Sequence, residues 1–128
     1  MKCACGSGKE LNQCCQPIID GKSSAVVAEE LMRSRYTAFT QANGRYLIYS
    51  HHSSTRKTVN KRDLESWAKS VQWMGLTILS KSGNADDETA FVEFRALFME
   101  QGALEQVHEK SLFRKENGEW KYVSGKHF

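Results

Sequence analysis

A chain of 128 residues has room for one domain and a short appendage. Forty per cent apolar and 26 per cent charged residues are ordinary globular values, and three Trp, four Tyr and six Phe supply large pieces for a core. The formal charge of +3 gives no argument for a nucleic-acid partner, and no run nears the roughly 18 to 20 apolar residues that a membrane helix needs.

All four cysteines, Cys3, Cys5, Cys14 and Cys15, open the chain. Their spacing, C-x-C and then C-C, gathers four thiols around a loop that carries Gly6, Ser7 and Gly8. Four sulfurs are what one tetrahedral structural zinc ion takes, at Zn–S distances of about 2.3 Å. Glycine allows positive φ, so the second thiol pair can swing back onto the first. No apolar signal core precedes the cysteines, as a secreted disulfide framework would require, and the redox spacing C-x-x-C does not occur. The readings left open are a metal, zinc first among them, or free thiols or a Cys14–Cys15 disulfide. Adjacent Cys14 and Cys15 can both reach one ion if the backbone turns there, as at the start of a helical turn. A metal-type cluster without a signal sequence points to the cytoplasm.

Pro17 to Ser24 is turn-rich and reads as a linker, which divides the chain into a zinc unit with linker (1–22) and a main domain (23–128). Val26 to Gln41 then has helical spacing, with Val27, Leu31, Arg35 or Tyr36, Ala38 and Phe39 recurring at three- and four-residue steps. Ser23 or Ser24 is positioned to cap it, Glu29 and Glu30 suit its positive end, and Asn43-Gly44 stops it. Arg45 to His52 reads as a second helix and Ser53 to Thr58 as a loop. Asn60 to Val71 is a third helix with Asn60 as N-cap and Leu64, Trp67, Ala68 and Val71 on one side.

From Gln72 the period becomes two. Strands are expected over Trp73–Lys81, Glu88–Glu100, Leu104–Lys115 and Glu119–Ser124, with Val92, Phe94, Ala96 and Phe98 on one face of the second. Asn117-Gly118 is a strong hairpin signal. Helices first and antiparallel strands afterwards give an α+β domain, three helices on one face of a curved four-stranded sheet.

Two resemblances add to this reading. Cys3-x-Cys5-Gly6-Ser7-Gly8, five residues, then Cys14-Cys15 resembles at every fixed position the SEC-C motif, named for the C-terminus of the SecA translocation ATPase. That resemblance implies that all four cysteines ligate one structural zinc and that the knuckle docks a protein partner. Loss of the metal would then unfold the first ~15 residues and spare the body. Leu31-Met-Arg-Ser-Arg-Tyr36, Tyr46-Leu47, Trp73-x-Gly-Leu-x-Ile78, His108-Glu-x-Ser-x-Phe113 and Trp120-x-Tyr122 resemble the YchJ-type family over essentially the whole chain. This implies a cone-shaped, cystatin-like domain similar to nuclear transport factor 2, behind an N-terminal SEC-C motif. Many members have Trp-His-Pro where this chain has His51-His52-Ser53.

In such a cone the sheet wraps a pocket closed by the first helix. Strand parity puts Glu109 and Ser111 on the face of Phe113, and helical spacing puts Arg35 on the buried stripe with Leu31 and Ala38. Burying either charge alone would cost several kcal/mol, so Arg35 and Glu109 are expected to pair or to share a hydrogen-bond network, with Tyr36 and His52 as neighbours. The candidate pocket is therefore Arg35, Tyr36, His52, Trp73, Phe94, Glu109, Ser111 and Phe113. Its plain reading is a structural tie between helix and sheet. The sharper one is a small-ligand pocket, or an enzyme acting on a small anionic substrate, with Arg35 on the anion, Glu109 as base, and His52 or Tyr36 assisting. Trp73, Phe94, Phe98, Trp120 and Tyr122 read as core aromatics first. His51, His52, His108 and His127 lack metal-ligand spacing, so no second metal is expected. Arg56, Lys57, Lys61 and Arg62 read as a solvated basic face. Two functions follow: a non-enzymatic docking module with an unidentified protein partner, favoured, and an enzyme of the cone interior. By family analogy, exposed sheet surface pairs such domains into homodimers.

Overall fold

The period-two half of the chain builds one antiparallel sheet with its strands in sequence order: β1 (Gln72–Lys81), β2 (Thr89–Glu100), β3 (Ala103–Glu116) and β4 (Glu119–His127). These and the features below are those of a computed structural model, which describes residues 1–128. Asn117 and Gly118, at φ 54 and 80°, make the two-residue turn that the sequence signals, and Gln101 and Gly102, at φ 52 and 82°, make a second. Left-handed residues at both turn positions match the twist of the flanking strands.

The sheet curls because three residues have no cross-strand partner: Met74 and Leu79 in β1, and Val123 in β4. Each such bulge bends its strand and increases the local twist. Val92, Phe94, Ala96 and Phe98 of β2 and Glu109, Ser111 and Phe113 of β3 are buried on the inner face, as parity requires.

The helices are α1 (Cys15–Ile19), α2 (Ala28–Thr40), α3 (Gly44–Tyr49) and α4 (Lys61–Ser70), with 3-10 turns at Leu11–Gln13 and Arg56–Thr58. Helix α2 packs on the sheet through Leu31, Met32, Arg35, Tyr36 and Ala38, all buried. Its start differs from expectation. Ser23 and Ser24 lie too far upstream to cap it; the N-cap is Val27, and Glu30 Oε1 accepts the Val26 amide at 2.7 Å instead. Helix α2 ends at Thr40 through a left-handed Ala42 (φ 51°), ahead of the expected Asn43-Gly44 stop; Asn43 instead caps α3, accepting the Tyr46 amide, and Asn60 caps α4 as expected by accepting the Asp63 amide.

Two further differences shape the site. Helix α3 stops three residues short of His52, because Ser50 to His52 run beside β4 instead: the Tyr122 amide donates to the Ser50 carbonyl at 2.9 Å, and the His52 amide to the Tyr122 carbonyl at 2.7 Å. This short parallel bridge sets His51 opposite Tyr122. The stretch expected to be a linker begins as α1, whose Ile19 is 1% exposed. Pro17 fits within its first turn, where a missing amide costs no helical bond. Cys3, Cys5, Cys15 and Ile19 belong to the same core cluster as Leu31, Ala38, Tyr46, Val92 and Phe113, so the N-terminal loop shares the core of the body.

Candidate metal centre and ligand cavity

Gly6 and Gly8, at φ 81 and 85°, reverse the chain after Cys5. The loop lies against the sheet there: a β-carbon on Gly6 would stand 3.5 Å from the Leu76 carbonyl oxygen of β1. Cys14 caps α1 and Cys15 opens it, and this turn is what lets two adjacent residues face one point. All four cysteines are free, and their sulfurs lie within 4.8 Å of one another, with Cys5–Cys14 at 3.7 Å and Cys14–Cys15 at 3.9 Å. Metal–sulfur bonds of about 2.3 Å at tetrahedral angles put neighbouring sulfurs about 3.8 Å apart, so the cluster fits one four-coordinate ion. Four sulfurs and no oxygen suit a soft or borderline metal, and a complete set of four protein ligands leaves no open position for substrate.

The surroundings favour a thiolate at Cys5 and oppose one at Cys14 and Cys15. Ser7 Oγ lies 3.2 Å from Cys14 Sγ, and Thr37 Oγ1 lies 3.5 Å from Cys3 Sγ. The Cys15 thiol beside Cys5, aided by Ser7, holds the Cys5 thiol down to about 4 against the opposing effect of burial. Cys15 is pushed up by that same bond and by burial, and Cys14 mainly by burial. Arg33 on α2 donates from Nη1 to the Cys5 carbonyl at 2.7 Å and from Nε to Glu29 at 2.9 Å, while Lys81 of β1 also pairs with Glu29. Loop, helix and sheet are thereby tied by one chain of charges.

Where the curled sheet faces α2 it forms a half-open cavity of about 500 Å³. Part of its wall is aromatic. Trp73 meets Trp67 edge-on at 5.3 Å and Phe39 at 5.7 Å, with Tyr36 and Phe94 alongside. The lining also carries Arg35, His51, Glu109, Ser111 and Tyr122. Of the residues the sequence nominates, Arg35, Tyr36, Trp73, Phe94, Glu109 and Ser111 line the cavity. Phe113 does not: it is fully buried beneath Tyr122, whose ring it meets at 5.9 Å. His52 does not either; it is only half-buried, and its Nδ1 accepts the Ser54 amide at 3.0 Å. The bridge to β4 reverses the assignment of the pair, putting His51 against Tyr122 and inside. Trp67 and Tyr122, read as a helix-stripe residue and a core aromatic, also line the wall. Trp120 remains core, its indole donating to the Val26 carbonyl at 3.1 Å.

Arg35 and Glu109 do not touch; Tyr122 stands between them. The Arg35 guanidinium lies over the Tyr122 ring at 4.7 Å, and the Tyr122 hydroxyl donates to Glu109 Oε2 at 3.1 Å. Burial pushes the Tyr122 phenol up, which keeps it a donor. Glu109 also accepts from Ser111 and has His127 at 3.2 Å, so its oxygens are engaged. Gly125 makes room for them: a β-carbon there would stand 1.9 Å from Glu109 Oε2. Arg35, by contrast, uses only Nη1, donating to the Leu47 carbonyl at 2.9 Å and Ser50 Oγ at 2.6 Å. No buried side-chain polar atom of the protein lacks a partner, so Nε and Nη2, which have none in the protein, are accessible from the cavity that Arg35 lines. Burial lowers the Arg35 pKa to about 10, and it stays charged at neutral pH.

His51 is neutral in this setting. Burial first, then the Arg35 and Arg56 charges, pull its pKa down to about 4. Its Nε2 lies 2.9 Å from Thr55 Oγ1, whose own proton goes to the Val123 carbonyl at 2.6 Å. Nε2 therefore carries the ring hydrogen and Nδ1 is the bare nitrogen.

Comparison with known proteins agrees with this architecture. The profile described as "YchJ, middle NTF2-like domain" matches residues 27–125. A UPF0225 protein of Geobacter sulfurreducens is 40% identical over 124 residues, covering 96% of this chain and 77% of its own. The UPF0225 protein YchJ of Shigella dysenteriae is 38% identical over 123 residues, covering 96% and 81%. Among solved structures, a SEC-C motif containing protein from Rhodopseudomonas palustris superimposes with a TM-score of 0.92 at 32% identity, over 100% of this chain and 99% of that one. Another, from Psychrobacter arcticus, gives 0.83 at 28% identity, over 95% and 80%. With a SEC-C-type cysteine cluster built into a nuclear transport factor 2-like cone, and homology over nearly its whole length, the chain belongs to the YchJ (UPF0225) family.

Proposed function

We propose that this protein is a cytoplasmic zinc protein that binds one small ligand in its cone cavity, with the zinc serving structure. The observation that carries this reading is the cavity itself: about 500 Å³, mostly apolar with a cluster of aromatic rings, and holding a buried arginine with donors to spare. Pockets of this size and character are the usual seats of small ligands. Closure of the cluster by four sulfurs supports a structural zinc. The test is metal analysis of reduced, freshly purified protein together with calorimetric titration of small apolar acids, amides and amines. About one zinc per chain and saturable one-to-one binding of some probe are expected. Absence of stoichiometric zinc would count against the first half, and failure of every probe against the second.

Docking of a protein partner through the knuckle is the second reading, favoured by one observation. Cys14 is the half-buried cysteine, in a shallow groove with Lys9, Gln13, Val27 and Glu30, so a partner would meet the metal at this corner. Turnover in the cavity is separable by Glu109→Gln. An enzyme would lose activity at little cost in stability, whereas a structural carboxylate would show a lowered melting temperature and unchanged binding.

A further inference from the structure

Resting on the cavity reading above, we infer that the ligand is a compact monocarboxylate with an aromatic or branched apolar body, its carboxylate held by the Nε–Nη2 edge of Arg35. Nη1 is spent on Leu47 and Ser50, which fixes the guanidinium plane. The two unspent nitrogens share one edge of that plane, and this edge is the fork that matches a planar carboxylate with two parallel hydrogen bonds. The side chain is 7% exposed, so its donors have little bulk water to satisfy them, and a ligand oxygen pair would meet a need already built in.

Charge limits the class to one negative group. Arg35 is the one Arg or Lys side chain in the cavity lining, and the oxygens of Glu109, across Tyr122, are already taken by Ser111, Tyr122 and His127. A doubly charged phosphate would put more negative charge near Glu109 than one guanidinium offsets. His51 adds a bare acceptor nitrogen and no charge. The aromatic part of the lining, where Trp67 meets Phe39 and Trp73 edge to face and Phe39 is tilted against Trp73, carries no charge, which selects an apolar body.

The experiment uses the full-length, metal-loaded protein and three matched probes, 3-phenylpropionate, 3-phenylpropionamide and 3-phenylpropylamine, titrated by calorimetry and followed by amide shifts at cavity residues. The acid is expected to bind at least tenfold tighter than the amide, and the amine not at all. In Arg35→Lys the acid should weaken fivefold or more while the amide is unchanged; if that variant does not fold, the acid–amide ratio in the wild-type protein decides. Equal binding of acid and amide at the cavity overturns the carboxylate assignment and leaves the cavity reading standing. Preference for the amine overturns it in favour of Glu109 as the recognising group. Failure of all three, with no shift at Trp67 or Trp73, removes the cavity reading and this inference with it.

Discussion

Stripping the metal should loosen the whole domain. The perturbation is a strong chelator, or Cys15→Ser as its genetic equivalent. Cys3, Cys5, Cys15 and Ile19 are each no more than 5% exposed and sit in the common core with Leu31 and Ala38. Releasing the knuckle with α1 would return Ile19 to water, at about 1.5–3 kcal/mol, and uncover the facing side chains of α2, for a total on the order of 5–8 kcal/mol. Domains of this kind are stable by only about 5–15 kcal/mol. Urea unfolding followed by tryptophan fluorescence should therefore show the midpoint of the entire domain fall by about a third or more. Hydrogen exchange should show protection lost in α2 as well as in the first fifteen residues. If the N-terminal segment alone loses protection and the sheet unfolds at its metal-loaded midpoint, the shared-core argument is wrong and the knuckle is a detachable tag.

Three further outcomes are expected. Tyr122→Phe removes one hydrogen bond to a buried carboxylate and keeps the ring beneath Arg35, so unfolding free energy should drop by about 1–2 kcal/mol with an unchanged urea slope; no drop would mean that the Tyr122–Glu109 bond carries no net stability. Gly125→Ala should push the Glu109 carboxylate off Ser111 and Tyr122, shifting the Glu109 side-chain NMR signals while the domain stays folded; unmoved signals would refute the crowding. His51 takes up its proton near pH 4 in the folded protein and near its ordinary value of about 6.5 when unfolded, so the unfolded state binds the extra proton between these limits. Stability from this group is present above about pH 6.5 and falls away as the pH drops towards 4, by at most about 3 kcal/mol, and His51→Gln should flatten the profile over that window.

The fold was legible because its signals are local. Alternation along β2 and β3, the Asn117-Gly118 turn and the helical spacing through Leu31, Arg35 and Ala38 each depend on residues close in sequence, and each appears as expected. Arg35 and Glu109 were found by the same means, as charges at positions whose period demands burial. What escaped depends on distant partners. His51 faces inward only because it pairs with Tyr122, 71 residues later, and no local pattern distinguishes it from His52. Tyr122 as the mediator between Arg35 and Glu109 requires knowing that helix and sheet approach there with a ring's thickness between them. Ile18 and Ile19 did offer a signal, since two adjacent isoleucines are more than a linker needs; the neighbouring proline and glycine outweighed it.

One consequence concerns the rim of the sheet. β1 is an outermost strand, and such a strand offers unpaired amides and carbonyls to any passing chain. Two defences guard it: the kinks at Met74 and Leu79 break its ladder, and the cysteine loop rests on the Leu76 carbonyl. If the four sulfurs hold an ion, as proposed above, only the second depends on it. A cell starved of that ion would therefore face more than a softened protein, because the same loss lifts the cover from a strand edge and invites intermolecular β-pairing, turning scarcity of metal into precipitation.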